Sequence, residues 1–115
     1  MSRCGKSLLE LIAAVEALKQ VRKIDVRSGD YVIVKTCNSV YILRMVDKNE
    51  CLASGGWFDK KGVSPVKTKV KGCTWGGTTI KMDIVAACGL CIEFANNITT
   101  SEIRMIMLMP YWSMN

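Results

Sequence analysis

Histidine is absent from this 115-residue chain, and proline occurs only twice, at Pro65 and Pro110. Without an imidazole, a nucleophilic Ser-His or Cys-His pair has no base, and a mixed cysteine–histidine zinc site has too few ligands. Long apolar runs are lacking too. Leu8 to Val15 is the best stretch, and Glu10 interrupts it well short of the span that crosses a bilayer. It also lacks the small-residue cleavage pattern of a secretory leader. The expectation is a cytoplasmic protein with no membrane partner. Low-complexity tracts, linkers and internal repeats are missing as well, so residues 1–115 read as a single domain.

Six cysteines are present, at positions 4, 37, 51, 73, 88 and 91. An even count suggests disulfides only in an oxidising compartment, and nothing in the sequence points to one. They read as reduced thiols that pack as small hydrophobes. Cys88-Gly89-Leu90-Cys91 has the spacing of half a zinc site or of a redox pair. No second such pair exists, and a strand follows where a redox motif opens a helix. Ordinary half-buried thiols are the expectation, with no metal and no cofactor. The carboxylates Asp25, Asp30, Asp47, Asp59 and Asp83 fall mostly in turns and form no acid/base pair. Gly55-Gly56 and Gly76-Gly77 match neither a P-loop nor a dinucleotide fingerprint. With no catalytic residues to name, the sequence reads as a non-enzyme.

Two periods divide the chain. From Ser7 to about Ile24, Leu8, Leu11, Ile12, Val15 and Leu18 recur with the spacing of one helical face. Ser7 and Glu10 form a capping box, and Lys19, Arg22 and Lys23 suit the far end of a helix dipole. A helix over 7–24 is therefore expected. Arg27-Ser28-Gly29-Asp30 breaks that pattern, and a strand period follows over 29–109. Strands are expected at Tyr31–Lys35, Val40–Val46, Val66–Lys71, Thr79–Val85, Leu90–Phe94 and Ser101–Met109, and Cys51 to Ala53 leads into Ser54-Gly55-Gly56. Turns fall at Cys37–Ser39, Asp47–Glu50, Asp59–Gly62 and Asn96–Asn97, with a bend or bulge at Trp75–Gly77. The fold class is mainly β: an N-terminal α-helix, then a small, strongly bent, five- to six-stranded antiparallel barrel of SH3-like or Sm-like type.

Two stretches invite a functional reading. On Val66 to Lys71, Lys67, Lys69 and Lys71 alternate with apolar or small residues, so three ammonium groups share one face about 6.6–6.8 Å apart. Lys60 and Lys61 precede them, and Trp57, Phe58 and Trp75 lie nearby in sequence as aromatic side chains on which bases could stack. With a net charge of +6, this suggests single-stranded nucleic acid. A solubilising face, or lysines guarding an edge strand, explains the same pattern. The last strand is apolar at every position from Ile103 to Met109 except Arg104. A strand with one wet face should alternate. Either the leading helix or another subunit covers its second face. Ile103, Met105, Met107 and Met109 are the residues expected at an interface between copies.

One helix followed by about five bent strands resembles the Sm and Sm-like proteins, ring-forming barrels that bind RNA. The first Sm motif would fall on Gly29 to about Leu52. Gly29-Asp30-Tyr31-Val32-Ile33-Val34 is similar to its first strand. Asn38-Ser39 sits where the family often has Asn-Gly, and Asp47-Lys48-Asn49 sits near its Asp-x-x-Asn turn. The second motif would fall on Ile103-Arg104-Met105, where the family's Gly is missing. The resemblance implies a homo-oligomer that binds single-stranded RNA, with Asn38, Asn49 and Arg104 as contacts. The stretch from about Ala53 to Gly89 is long for that family. A second resemblance runs through Val34-x-Thr36-x-Asn38-Ser39-x-Tyr41-x-Leu43, Ser54-Gly55-Gly56-Trp57-Phe58, Gly89-Leu90-x-Ile92-Glu93-Phe94 and Thr100-Ser101. It is to short bacterial proteins of unknown function and implies no activity.

Overall fold

The computed structural model describes residues 19–75, 80–95 and 97–111. It is mainly β. The strands are β1 (Gln20–Arg22), β2 (Tyr31–Thr36), β3 (Val40–Met45), β4 (Glu50–Gly55), β5 (Val66–Thr74), β6 (Ile80–Lys81), β7 (Ile84–Ala87), β8 (Cys91–Phe94) and β9 (Ile103–Met109). One short helix, α1 (Gly56–Lys60), lies between β4 and β5.

Six antiparallel strands in the order β6-β5-β4-β3-β2-β9 curl into an open half-barrel, with β8 on the second half of β5. Strict alternation builds it. Val32, Val34 and Thr36 of β2, Tyr41, Leu43 and Met45 of β3, and Cys51 and Ala53 of β4 all turn inward and are buried. They meet Phe58 of α1, Ile92 and Phe94 of β8, and Ile103 and Ile106 of β9. At the centre Phe58 packs edge-on against Tyr41 and Phe94, with ring centroids 6.0 and 5.2 Å apart. Such contacts add to the transfer free energy of burying the rings.

The curl originates in β5. Its first half pairs with β4, from Val66 opposite Ala53 to Lys69 opposite Glu50. Its second half pairs with β8 and β6, and the register slips between Val70 and Gly72. A bulge of this kind bends the strand and increases its twist. Gly72 makes it possible, because a Cβ there would lie 2.3 Å from the Lys81 carbonyl oxygen. A bend thus falls at Gly72, and the bend expected at Trp75–Gly77 lies mostly outside the described residues. Of those three residues only Trp75 is described.

The expected helix over 7–24 needs correction where it can be seen. Residues 7–18 lie outside the described residues. Gln20 to Arg22 form a strand instead, and Lys23 to Asp25 form a single 3-10 turn. β1 pairs antiparallel with β7, whose four residues are all buried. Buried backbone groups of β7 require partners, and Val21, 1% exposed, fills the core from β1. This tertiary demand makes Gln20 to Arg22 a strand rather than the end of a helix. The expected strand at Thr79–Val85 is likewise two short strands, β6 and β7, separated by a turn at Met82-Asp83.

Candidate functional site

The outward face of the half-barrel is the most unusual surface among the described residues. Register places its side chains in rows. Met107 of β9 stands beside Ile33 of β2, which faces Ile42 of β3, which faces Ser54 of β4. The next row runs Met109, Tyr31, Arg44, Leu52. The row on the other side holds Met105, Lys35 and Val40. Most of these side chains are apolar and only half-buried or exposed. An antiparallel sheet with a wet face should carry polar residues there. A shallow depression of about 260 Å³ sits in this face, between Tyr31, Ile42, Leu52 and Pro65. Ile103 does not belong to the face: it points inward, 1% exposed, and is core. Of the four residues expected at an interface, Met105, Met107 and Met109 are the ones turned outward.

The basic and aromatic residues fall into separate groups. Lys67, Lys69 and Lys71 all point outward from β5. Acids lie close to them: Lys67 Nζ is 3.8 Å from Glu50 and Lys71 Nζ is 3.7 Å from Glu93. Asp47 also feels the charges of Lys67 and Lys69. Its carboxyl is held below the usual carboxylate range, first by the Glu50 N–H, then by the Asn49 N–H, both donating at 2.7 Å. Asn49 shares this end of the sheet. Lys60, Lys61 and Trp57 sit around α1, at the opposite end of β4, and Lys61 Nζ lies 5.9 Å from the Trp57 ring centre. Trp75 follows the far end of β5 and is 66% exposed, with Lys81 Nζ 5.2 Å from its ring. The two tryptophans therefore stand beyond opposite ends of β5 and share no single patch with the lysines.

Asn38 and Arg104 do come together, at the sheet end that carries the β2–β3 turn. Asn38 N–H donates to the Ser101 hydroxyl at 3.3 Å, and Cys37 N–H donates to the Glu102 carbonyl at 2.9 Å. β2 and β9 pair in step from Tyr31–Met109 to Lys35–Met105, then slip so that Thr36 faces Ile103. Arg104 is the extra residue of that bulge. Its Nε donates to Cys37 Sγ at 3.2 Å, and its terminal nitrogen lies 3.5 Å from Glu102. The thiol at Cys37 had no signal in the sequence, because its partner lies 67 positions away.

The remaining cysteines divide by depth. Cys51 and Cys73 are buried, and burial pushes both thiols up to about 12. Cys88 is exposed and Cys91 half-buried, while Leu90, Ile92 and Phe94 between and beyond them face the core. Among the described residues no three His, Cys, Asp or Glu side chains are placed to hold a metal ion. No helix of the described residues is long and apolar enough to cross a membrane. Comparison with family models, curated proteins and solved structures found no match to this chain.

Proposed function

We propose that this chain is a non-catalytic, Sm-like half-barrel that works in the cytoplasm by assembling with further copies of itself. One observation carries the reading: the outward face of β9, β2, β3 and β4 is apolar where a solvated sheet should be polar. A second copy fits this face because its central row carries no charge that would oppose its own image. Chains of net charge +6 repel one another, and the Met107–Ile33–Ile42–Ser54 row offers a contact without charge. Methionine side chains adapt to irregular surfaces, and three of them edge this face. The five described cysteines are free, which supports a reducing compartment.

Light scattering across a concentration series tests the proposal. The wild type is expected to be an oligomer, and the double variant Ile33→Lys, Met107→Lys a folded monomer. A wild type that stays monomeric at high concentration overturns the reading.

A second reading, binding of single-stranded RNA, rests on the two exposed tryptophans, each with a lysine over its ring. Its test is a salt titration with short single-stranded RNA. Affinity should fall steeply with salt, and no binding at low salt removes the reading.

A further inference from the structure

Three solvent-reachable thiols, Cys37, Cys88 and Cys91, gather around Arg104 at one end of the half-barrel. The bulge in β9 turns the guanidinium so that Nε donates to Cys37 Sγ at 3.2 Å. Cys88 Sγ lies 3.8 Å from the Arg104 carbonyl oxygen, on the other side of the same residue. Ile103 exchanges backbone hydrogen bonds with Gly89 and Leu90, at 2.9 and 2.8 Å. That pairing sets Cys91 beside Glu102, which in turn neighbours Cys37.

The three sulfurs differ in surroundings. Only Cys37 receives a hydrogen bond from a cation. Guanidinium has donors and no acceptor, so Arg104 presents its positive charge directly to this sulfur. In return the bond to Cys37 holds Arg104 more firmly protonated. At Cys91, burial pushes the thiol up, and the charges of Glu102 and Cys37 push the same way. Cys88 has only a backbone oxygen. Two strand spacings separate Cys37 from Cys91, roughly 9–10 Å between Cα atoms, which is too far for an internal disulfide without backbone movement.

We infer that Cys37 is a thiol-modification site, held by Arg104 for exchange with small anionic disulfides. The Cys37 thiol gives its proton to solvent, and the thiolate attacks one sulfur of the disulfide R–S–S–R. A Cys37–S–S–R bond forms as the original S–S bond breaks. The second half leaves with the electron pair as RS⁻ and takes a proton from solvent. Cys37 is oxidised and the released thiol is the reduced product. An outside thiol that attacks the mixed disulfide restores Cys37. Lys35 precedes this end on the same strand, and Glu102, paired with Arg104 at 3.5 Å, offsets part of the positive charge there.

Oxidised glutathione is the probe, added to the full-length protein and followed in time by peptide mass mapping. Among the five described cysteines, Cys37 is expected to be modified first, with Cys88 and Cys91 slower and Cys51 and Cys73 untouched. Arg104→Gln is expected to slow Cys37 by about tenfold, the effect of losing a cation beside a thiolate, and to leave Cys88 within about twofold. Equal rates at Cys37 and Cys88 overturn the inference, as does an Arg104→Gln protein in which Cys37 keeps its rate. Cys51 reports the fold: should it label in Arg104→Gln, the comparison passes to Arg104→Lys. That variant keeps the charge but not the Nε donor, and Cys37 must slow in it too.

Discussion

A methyl group at position 72 would meet the Lys81 carbonyl oxygen at 2.3 Å, and at position 55 the Val40 carbonyl oxygen at 2.1 Å. Backbone cannot give way at either site, so both positions require glycine. Gly72→Ala is expected to cost about 3 kcal/mol and to release β6 from β5, seen as faster hydrogen exchange at Ile80 and Lys81. Phe58→Ala removes the ring at the centre of the aromatic cluster and is expected to cost about 3–5 kcal/mol, measured by urea unfolding. Charge at the turns acts in the other direction of scale. Asp47 and Asp25 are both held below the usual carboxylate range, Asp25 chiefly by the Arg22 N–H at 3.0 Å. A depressed carboxylate stabilises the fold above its unfolded pKa, and that stability is lost as pH falls through the folded pKa. Asp47→Ala should therefore lower the urea midpoint at pH 7, and the gap to wild type should narrow as pH falls toward about 2. A gap that stays constant with pH would show that the turn depends on packing rather than on the carboxylate.

At the scale of elements, β1 shows how a local pattern yields to a tertiary one. Leu8 to Leu18 carry the helical spacing, and Gln20-Val21-Arg22 is too short to announce a strand by alternation. What decides it is β7, four buried residues in search of a partner. Val21→Asp would bury an unpaired carboxylate between them. It is expected to destabilise by about 3 kcal/mol or more, and to speed exchange at Ala86 and Ala87 ahead of β2 and β3. β2 and β3 were legible from their alternation and β-branched content, because each buries one full face, whereas β9 was legible only as an apolar run. The bend in β5 was not, since Gly72 reads as an ordinary strand glycine until Lys81 is folded against it. α1 was hidden for a similar reason. Its five residues are too few for a period, and Gly55 and Gly56 at its start read as a turn. The site divides the same way. The outward lysines of β5 follow from period two, whereas the acids that face them and the Arg104–Cys37 contact arise only from pairing between distant segments. Arg104 was singled out by the Sm-like motif, but its bulge depends on the register of β9 against β2.

On the scale of the whole molecule, the two functional readings respond oppositely to salt. Assembly brings together chains of net charge +6 through an apolar face. Salt screens their repulsion, over about 10 Å at 0.1 M, and leaves apolar burial nearly intact. Raising salt should therefore strengthen the oligomer. RNA binding must weaken instead, because each phosphate contact releases counterions. Assembly also ties thermal stability to concentration, since a partner that binds only the folded chain raises Tm by mass action. A hundredfold rise in protein concentration is expected to raise the wild-type Tm by several degrees, on the order of 2.7 kcal/mol if each copy stabilises the other as a ligand would. In Ile33→Lys, Met107→Lys the same rise should leave Tm flat. A wild-type Tm independent of concentration and salt, in a chain that scatters as a monomer, would mean that the apolar face is not used between copies. The combination expected here is a Tm that climbs with both, and only when positions 33 and 107 remain apolar.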